Sequence, residues 1–455
     1  MTAQTLTQCA LFPNVFEKRV VVKFDEPMTS SDGGAILLKA VDKRLQLTER
    51  MSEWIKDERQ EGKIDHQILE MLRQRIYGIA CGYADCNDAA RLRDDPMQKL
   101  LVGRAPATGE ALSSQPTLSR FENSIDRKEL YRMGETLCNA VLDRHRKRLK
   151  KVKRVRIDLD PTDDPTHGHQ QMALFNAFYD SYCYLPMLGF VSFDREVDHY
   201  LVAAVLRPGN ATAKMGTIGI LLRLMREIRK RWRKVKIEVR LDGGFACPEL
   251  FDFLEVMGVE YECGLAKNPV LERKAGVLMK EARELSEISG KTEHVYGECW
   301  YQAKTWSCAR RVIIKAEVTR TEGRDPKNNP RFVITNRRQT AKWIYEHEYC
   351  GRGEVENRIK ETFEVEIDRT SATSFWANQF RVLLSAAAYM LLQEIRLQAK
   401  DTGLARAQVS TLRLRLIKLG VRVVASARRI VLHLPRSCPD FQNWKKIAAG
   451  LGAFT

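Results

Sequence analysis

The chain has 455 residues, 44% of them hydrophobic and 29% charged, which is enough apolar content for a real core and excludes a disordered chain. Lysine and arginine number 75 against 58 aspartates and glutamates, a formal charge of +17, and this excess points to a polyanionic partner, nucleic acid first. Eleven scattered cysteines with no C-x-x-C pair do not form a zinc-finger framework, and no segment reaches the roughly 18 uncharged apolar residues that a membrane span needs.

The first residues, M-T-A-Q-T-L-T-Q-C-A-L-F-P, lack the basic-then-apolar order of a signal peptide. With the odd cysteine count this predicts free thiols and a cytoplasmic, nucleoid-associated protein. A strand is expected from Arg19 to Phe24. Ser30-Ser31-Asp32-Gly33-Gly34 then reads as a helix start, with Leu37, Leu38, Val41 and Leu45 at helical spacing. Further helices are expected near 47–57, 65–81 and 86–93. Residues 113–123, S-S-Q-P-T-L-S-R-F-E-N, carry a capping serine or glutamine and a first-turn Pro116. Thr117, Ser119 and Arg120 would project from this short helix like the reading side chains of a helix-turn-helix. A helix over about 127–146 runs into a basic stretch, Arg144 to Arg156, with nine lysines and arginines and no acid.

At Val155 the period changes to two. R-V-R-I-D-L-D sets Val155, Ile157 and Leu159 on one face and Arg156, Asp158 and Asp160 on the other. Strand-like runs follow at 182–193 and 200–206, then a turn at Arg207-Pro208-Gly209-Asn210 and a helix over about 212–232. The strand Lys236 to Leu241 ends at Asp242-Gly243-Gly244. A helix (about 247–257) and a strand (Glu260 to Leu265) complete the series. Three strands, helix, strand, helix, strand is the order of a ribonuclease-H-like α/β fold, a mixed sheet flanked by helices with acidic groups at the strand ends. Residues 267–340 read as a charged helix and then a β-rich insertion. The expected domains are therefore a helical DNA-binding region (1–150), a catalytic domain in two parts (151–266 and 341–400), the insertion (267–340), and a C-terminal basic helix and strand pair (401–455).

The stretch Y-C-G-R-G-E-V-E-N-R-I-K, Tyr349 to Lys360, is the most unusual. On a continuous helix Tyr349, Arg352, Glu356 and Lys360 share one stripe, where apolar groups are the rule. Such a face is either a salt-bridged surface or the lining of a site. Asp160 and Asp242 at strand ends supply partners for Glu356. Converging carboxylates need a counter-charge, and a divalent metal held by oxygen ligands provides one. Asp158 competes with Asp160 as the first member.

These residues resemble the DDE transposases of bacterial insertion sequences, in the branch with a Y-(2)-R-(3)-E signature. Tyr349, Arg352 and Glu356 have that spacing. D-L-D-P-T-D (158–163) and R-L-D-G-G-F (240–245) resemble the two Asp blocks. R-Q-R-I-Y-G (73–78), S-Q-P-T-L-S-R (114–120), Y-C-Y-L-P (182–186) and L-R-P-G-N (206–210) extend the likeness over nearly the whole chain. The resemblance implies Asp160, Asp242 and Glu356 as a metal triad for two Mg²⁺ ions, with Mn²⁺ as a substitute. It implies Tyr349 and Arg352 on the DNA backbone and double-stranded DNA as partner. A homodimer in a synaptic complex follows from catalysis at two element ends. In the signature a lysine follows the glutamate by seven residues. Here that position is Phe363, and Lys360 stands one turn earlier. In relatives with a β-insertion an aromatic stacks on an unpaired base, for which Trp300, Trp306 and Trp343 are candidates. Rival readings are a metal-dependent nuclease without strand transfer and a non-catalytic DNA-binding derivative.

Overall fold

A computed structural model describes residues 9–15 and 17–453. The reading of residues 1–13 as free of a leader falls largely outside them. The fold is mixed α/β, with several sheets and many helices. It divides into two units: one comprises the described residues up to Arg44 with Glu58–Ser119 and those from Leu391 on, the other Leu45–Asp57 with Arg120–Met390.

The second unit is built on one sheet. Its strands are β1 (Arg154–Pro161), β2 (Met187–Phe193), β3 (Tyr200–Val205), β4 (Lys236–Leu241), β5 (Glu260–Leu265), β6 (Glu293–Tyr301), β7 (Arg310–Thr319) and β8 (Arg331–Thr335). They lie in the order β3-β2-β1-β4-β5-β8-β7-β6, and Lys327–Asn328 adds a short ninth strand to β7. β1, β4 and β5 run parallel, while the remaining neighbours are antiparallel. Helix α2 (Pro248–Val256) joins β4 to β5, and helix α1 (Thr217–Arg231) closes the longer path from β1 through β2 and β3 to β4, because parallel strands need a long crossover.

The period-two pattern explains the two faces. Val155, Ile157 and Leu159 of β1 and Ile237, Val239 and Leu241 of β4 are buried on one side. Leu221, Leu224, Met225 and Ile228 of α1 are fully buried as well, at the i, i+3, i+4, i+7 spacing of an apolar stripe. Each such side chain contributes about 1.5–3 kcal/mol by leaving water, so Val239→Asp would break the centre of the sheet. The opposite face of the same strands carries charge, and it is buried too.

The run 182–193, read as one strand, is two, Ser181–Tyr184 and Met187–Phe193, because Pro186 cannot donate to a ladder. The helix read over 270–288 is likewise split at Ala275. In the first unit the expected basic helix near 404–418 is only a short turn, Val409–Leu412, continued as a wide π turn to Ile417. Helices Pro96–Val102 and Phe441–Gly450 were not expected. Asp32 of the Ser-Ser-Asp-Gly-Gly stretch is fully buried and accepts from Gln98 Nε2 (2.9 Å) and Lys418 Nζ (2.8 Å). No helix among the described residues is long and apolar enough to cross a membrane.

Candidate active site

Asp158 of β1 lies opposite Arg240 of β4. Two residues further along each strand come Asp160 and Asp242, on the same face and at the same carboxyl-end edge. Asp242 caps the tight turn Gly243–Phe245, its Oδ1 accepting from the Gly244 N–H at 2.7 Å. The other oxygen, Oδ2, is 3.6 Å from Arg352 Nη2, and the same Nη2 is 3.0 Å from Asp160 Oδ2. One guanidinium thus serves two carboxylates. Its Nη2 also lies 3.4 Å from the Leu159 carbonyl, while its Nε is buried with no partner. Burial pushes the Asp160 carboxyl up to about 6; Arg352 opposes this, and the charges of Asp242, Glu356 and Asp158 add to it.

The expected single stripe from Tyr349 to Lys360 is not one regular helix. Ala341–Trp343 starts as α-helix, Ile344–Tyr349 opens into a π turn, Cys350–Arg352 tightens to 3₁₀, and only Gly353–Phe363 (α3) is regular. Tyr349 and Arg352 therefore turn inward, while Glu356 and Lys360 are exposed on α3. The cause is Glu348, which sequence reasoning passed over. It is buried, and its carboxylate accepts from Arg154 Nη1 (3.2 Å), Arg337 Nη2 (3.3 Å) and Arg156 Nη2. Its carbonyl accepts from Arg240 Nη1 at 2.9 Å. Widened turns of this kind concentrate at functional sites.

Beneath the rim lies a buried ion network. Arg240 donates twice to Asp158 (2.7 and 2.9 Å). Arg337 reaches Glu238 (3.1 Å) and Glu262 (2.8 Å). Arg154 and Arg156 bridge Glu238 and Glu348. Asp158 is thus fully committed, with His199 Nε2 also 3.7 Å away. The signal for this network was present as opposite charges in register on adjacent central strands.

Tyr349 reaches the end of β5. A side chain at Gly264 would meet the Tyr349 hydroxyl at 2.7 Å and the Gly243 nitrogen at 2.8 Å, so only glycine fits there. Burial raises the pKa of the Tyr349 hydroxyl, with Arg352 opposing. Thr117, Ser119 and Arg120 stand on a separate helix, Gln115–Ser124, whose Leu118 and Phe121 are buried. Of the three tryptophans, Trp306 is buried against Phe251 and Tyr301, Trp343 lies under the Arg337 guanidinium, and Trp300 is 64% exposed.

Residues 12–453 match the family model described as transposase DDE domain, group 1. The chain belongs to this transposase family. Among solved structures the transposase is similar to piggyBac transposase, imaged by cryo-electron microscopy in a synaptic complex with hairpin DNA. The identity is 10%, the match covers 80% of this chain and 74% of that one, and the TM-score is 0.38. No curated protein matches the chain.

DDE transposases generally use divalent metal ions. Among the described residues no three His, Cys, Asp or Glu side chains form a ready-made cage. Mg²⁺ does not require one, since it takes one or two carboxylates and completes its shell with water and substrate phosphate. The all-oxygen pair Asp160 and Asp242, with Glu356 adding negative charge, fits such an ion.

Proposed function

We propose that this transposase binds the inverted ends of a bacterial insertion sequence, cleaves a phosphodiester there, and joins the freed 3′ ends to target DNA. The observation that carries this reading is the sharing of Arg352 by Asp160 and Asp242 at the carboxyl edge of two parallel strands. Asp160, Asp242 and Glu356 would hold two Mg²⁺ ions, or Mn²⁺ in their place. Metal bound there supplies an activated nucleophile and charge relief at the leaving oxygen. Asp160 rather than Asp158 is the first ligand in this reading, because Asp158 is already saturated by Arg240.

The chain's own groups divide the remaining work. Arg352, whose Nη2 stands at the two rim carboxylates, would grip the phosphate beside the scissile bond. The Tyr349 hydroxyl would fix the neighbouring phosphate, and Lys360 would meet the backbone one turn along α3. Thr117, Ser119 and Arg120 would contact the element end. In the first step a water oxygen attacks phosphorus and the 3′-oxygen leaves as a hydroxyl. In the second that hydroxyl attacks a target phosphodiester, and the target's own 3′-oxygen leaves. One carboxylate set serves both steps because nucleophile and leaving group exchange places.

The strand order β3-β2-β1-β4-β5, with helices returning to parallel β4 and β5, supports a ribonuclease-H-like reading of the catalytic domain, formed by 151–266 and 341–400. The insertion is 267–340, the helical DNA-binding region 1–150, and the C-terminal region 401–455. Two ends imply a homodimer in the synaptic complex, working on the nucleoid in the cytoplasm.

The test is a supercoiled target plasmid incubated with the protein, Mg²⁺ and a linear DNA ending in the element's terminal repeat. Joined product is expected. Cleavage with no joined product would leave a nuclease; binding with neither would leave a DNA-binding derivative.

A further inference from the structure

The segment between β1 and β2 leaves the sheet at the carboxylate edge. Asp160 lies opposite Leu188 of β2, and the chain between them folds into a small antiparallel sheet, with Ser181–Tyr184 flanked by Asp164–Pro165 and Leu174–Asn176. Rings crowd its outer part. Phe178 is 87% exposed, Tyr182 63% and Phe175 49%. Phe175 and Tyr182 meet edge to face at 5.6 Å, and so do Phe178 and Tyr179 at 4.9 Å.

This tip is held stiffly for a surface hairpin. Asn176 Oδ1 accepts from the N–H groups of Phe178 (3.0 Å) and Tyr179 (3.4 Å), and Asn176 Nδ2 donates to the Gly209 carbonyl at 2.7 Å. A side chain at Gly209 would strike the carbonyls of Cys183 (2.1 Å) and Leu174 (2.2 Å), so the turn can press against both strands only as glycine. Arg207, buried, ties the same turn to the Leu185 carbonyl at 2.9 Å and to the Thr212 carbonyl at 2.9 Å. Tyr184 donates to the Gln171 carbonyl at 2.6 Å. The stretches Y-C-Y-L-P and L-R-P-G-N thus serve as the footing of the aromatic tip.

A rigid, exposed ring needs a reason, since its exposure forgoes burial. The neighbouring charges are acidic: Asp163 and Asp180 on the segment itself, and the rim carboxylates. These repel phosphate. They do not repel the neutral face of a base. An apolar wedge that enters a base step, or a ring that receives an unpaired base, is the form of contact that suits such a tip.

We propose that the hairpin over 174–184 is a base-stacking element, in which Phe178, with Tyr179 against its ring, receives an unpaired base of DNA held at the carboxylate rim. This rests on the DNA-directed reading of the previous subsection. It predicts a preference for DNA with unpaired bases over a full duplex, independent of sequence.

The experiment compares the full-length protein with Phe178→Ala and Phe178→Trp by fluorescence anisotropy. The probes are a fluorescein-labelled forked duplex, with 2-aminopurine in its unpaired arm, and the fully paired duplex of the same sequence. Phe178 is exposed, so the variants should keep the wild-type melting temperature. Phe178→Ala is expected to bind the forked probe roughly tenfold more weakly, to bind the paired probe as before, and to lose the quenching of 2-aminopurine. Phe178→Trp should restore both signals. Equal binding of the forked probe by wild type and Phe178→Ala overturns the inference while leaving the DNA reading intact. Failure of the wild type to bind either probe overturns both. A dimer that dissociates on Phe178→Ala, with forked-probe binding unchanged, would instead assign the rings to a second copy of the chain.

Discussion

Two groups of carboxylates gather at one face of the sheet, partly from its strands and partly from the segment over 344–356, and they are treated in opposite ways. In the inner row Asp158, Glu238, Glu262 and Glu348 are buried and meet four arginines, Arg154, Arg156, Arg240 and Arg337. In the outer row Arg352 is shared by Asp160 and Asp242, and the exposed Glu356 adds its charge to that felt by Asp160. The inner row is closed, with as many arginines as carboxylates, and burial pushes the Glu262 carboxyl up to about 7 against the pull of Arg337. The outer row keeps a surplus of negative charge at an edge open to solvent. Charge balance, more than residue type, separates a structural carboxylate from one that can take a cation.

The strongest way to break this comparison is to neutralise one member of each row. Asp160→Asn, Asp242→Asn and Glu356→Gln should each lower Mg²⁺-dependent cleavage by roughly three orders of magnitude or more while DNA binding stays within a fewfold. Gel-resolved cleavage and anisotropy on the same DNA check this. Full cleavage by Glu356→Gln would remove that residue from the site. Asp160→Asn should also leave the melting temperature level or raised, since it removes a carboxylate whose ionisation is already disfavoured.

The inner row predicts the reverse. Asp158→Asn leaves the buried Arg240 without its bidentate partner, and Glu348→Gln removes the negative charge and one of the two acceptor oxygens that three arginines share. Breaking a buried pair costs roughly 3–5 kcal/mol, so both variants should show a clear loss in urea unfolding. A Glu348→Gln protein as stable as wild type would show that the network does not hold the signature segment in place.

How much of this was legible is set by period and by neighbours. Asp160 and Asp242 stood out because each ends an alternating run and because a glycine pair stops the second strand. The inner row was written in the same residues, yet Arg156 and Glu238 on an alternating strand ordinarily face water. Here Glu348 of the segment over 344–352 meets Arg156, and Arg337 meets Glu238. Glu348 sits one place before the signature tyrosine and gave no periodic signal of its own. The shape of the signature also stayed hidden, because a π turn depends on what Glu348 and Tyr349 touch across the sheet. Pro186 was the visible sign that the run 182–193 is two strands, but nothing in the local pattern told that the chain before it forms a separate aromatic hairpin.

Asp164 sharpens the comparison from a third side. It is fully buried, accepts from Thr370 Oγ1 at 2.7 Å, and has a second oxygen without a partner. Burial pushes its carboxyl up to about 8, with the charges of Asp368 and Asp163 adding to the shift. A carboxyl whose folded pKa is raised keeps its proton while the unfolded chain releases one, so stability falls as pH rises from about 4 to about 8. Asp164→Asn should remove that loss, so the variant gains stability over the wild type as pH rises towards 8 and differs little from it near pH 4. Thermal unfolding of both proteins across that range reads the difference, and parallel curves would refute the assignment.

The smallest expected effect belongs to Lys360, and it tests whether the rim extends along α3. Lys360 is exposed, one turn beyond Glu356, and the position where the family signature carries its lysine is Phe363 here. An exposed ammonium can aid this reaction only by meeting phosphate, so its removal should act on DNA affinity and its salt dependence rather than on the chemical step. Lys360→Ala is expected to weaken DNA binding by roughly two- to fivefold, to lower the slope of log affinity against log salt by about one, and to leave single-turnover cleavage at saturating DNA unchanged. An unchanged salt slope would take Lys360 out of the DNA contact and leave Tyr349 and Arg352 as the phosphate-holding groups of the signature segment. A large loss in single-turnover rate would instead move Lys360 into the outer row, where its charge would offset the surplus that Arg352 leaves.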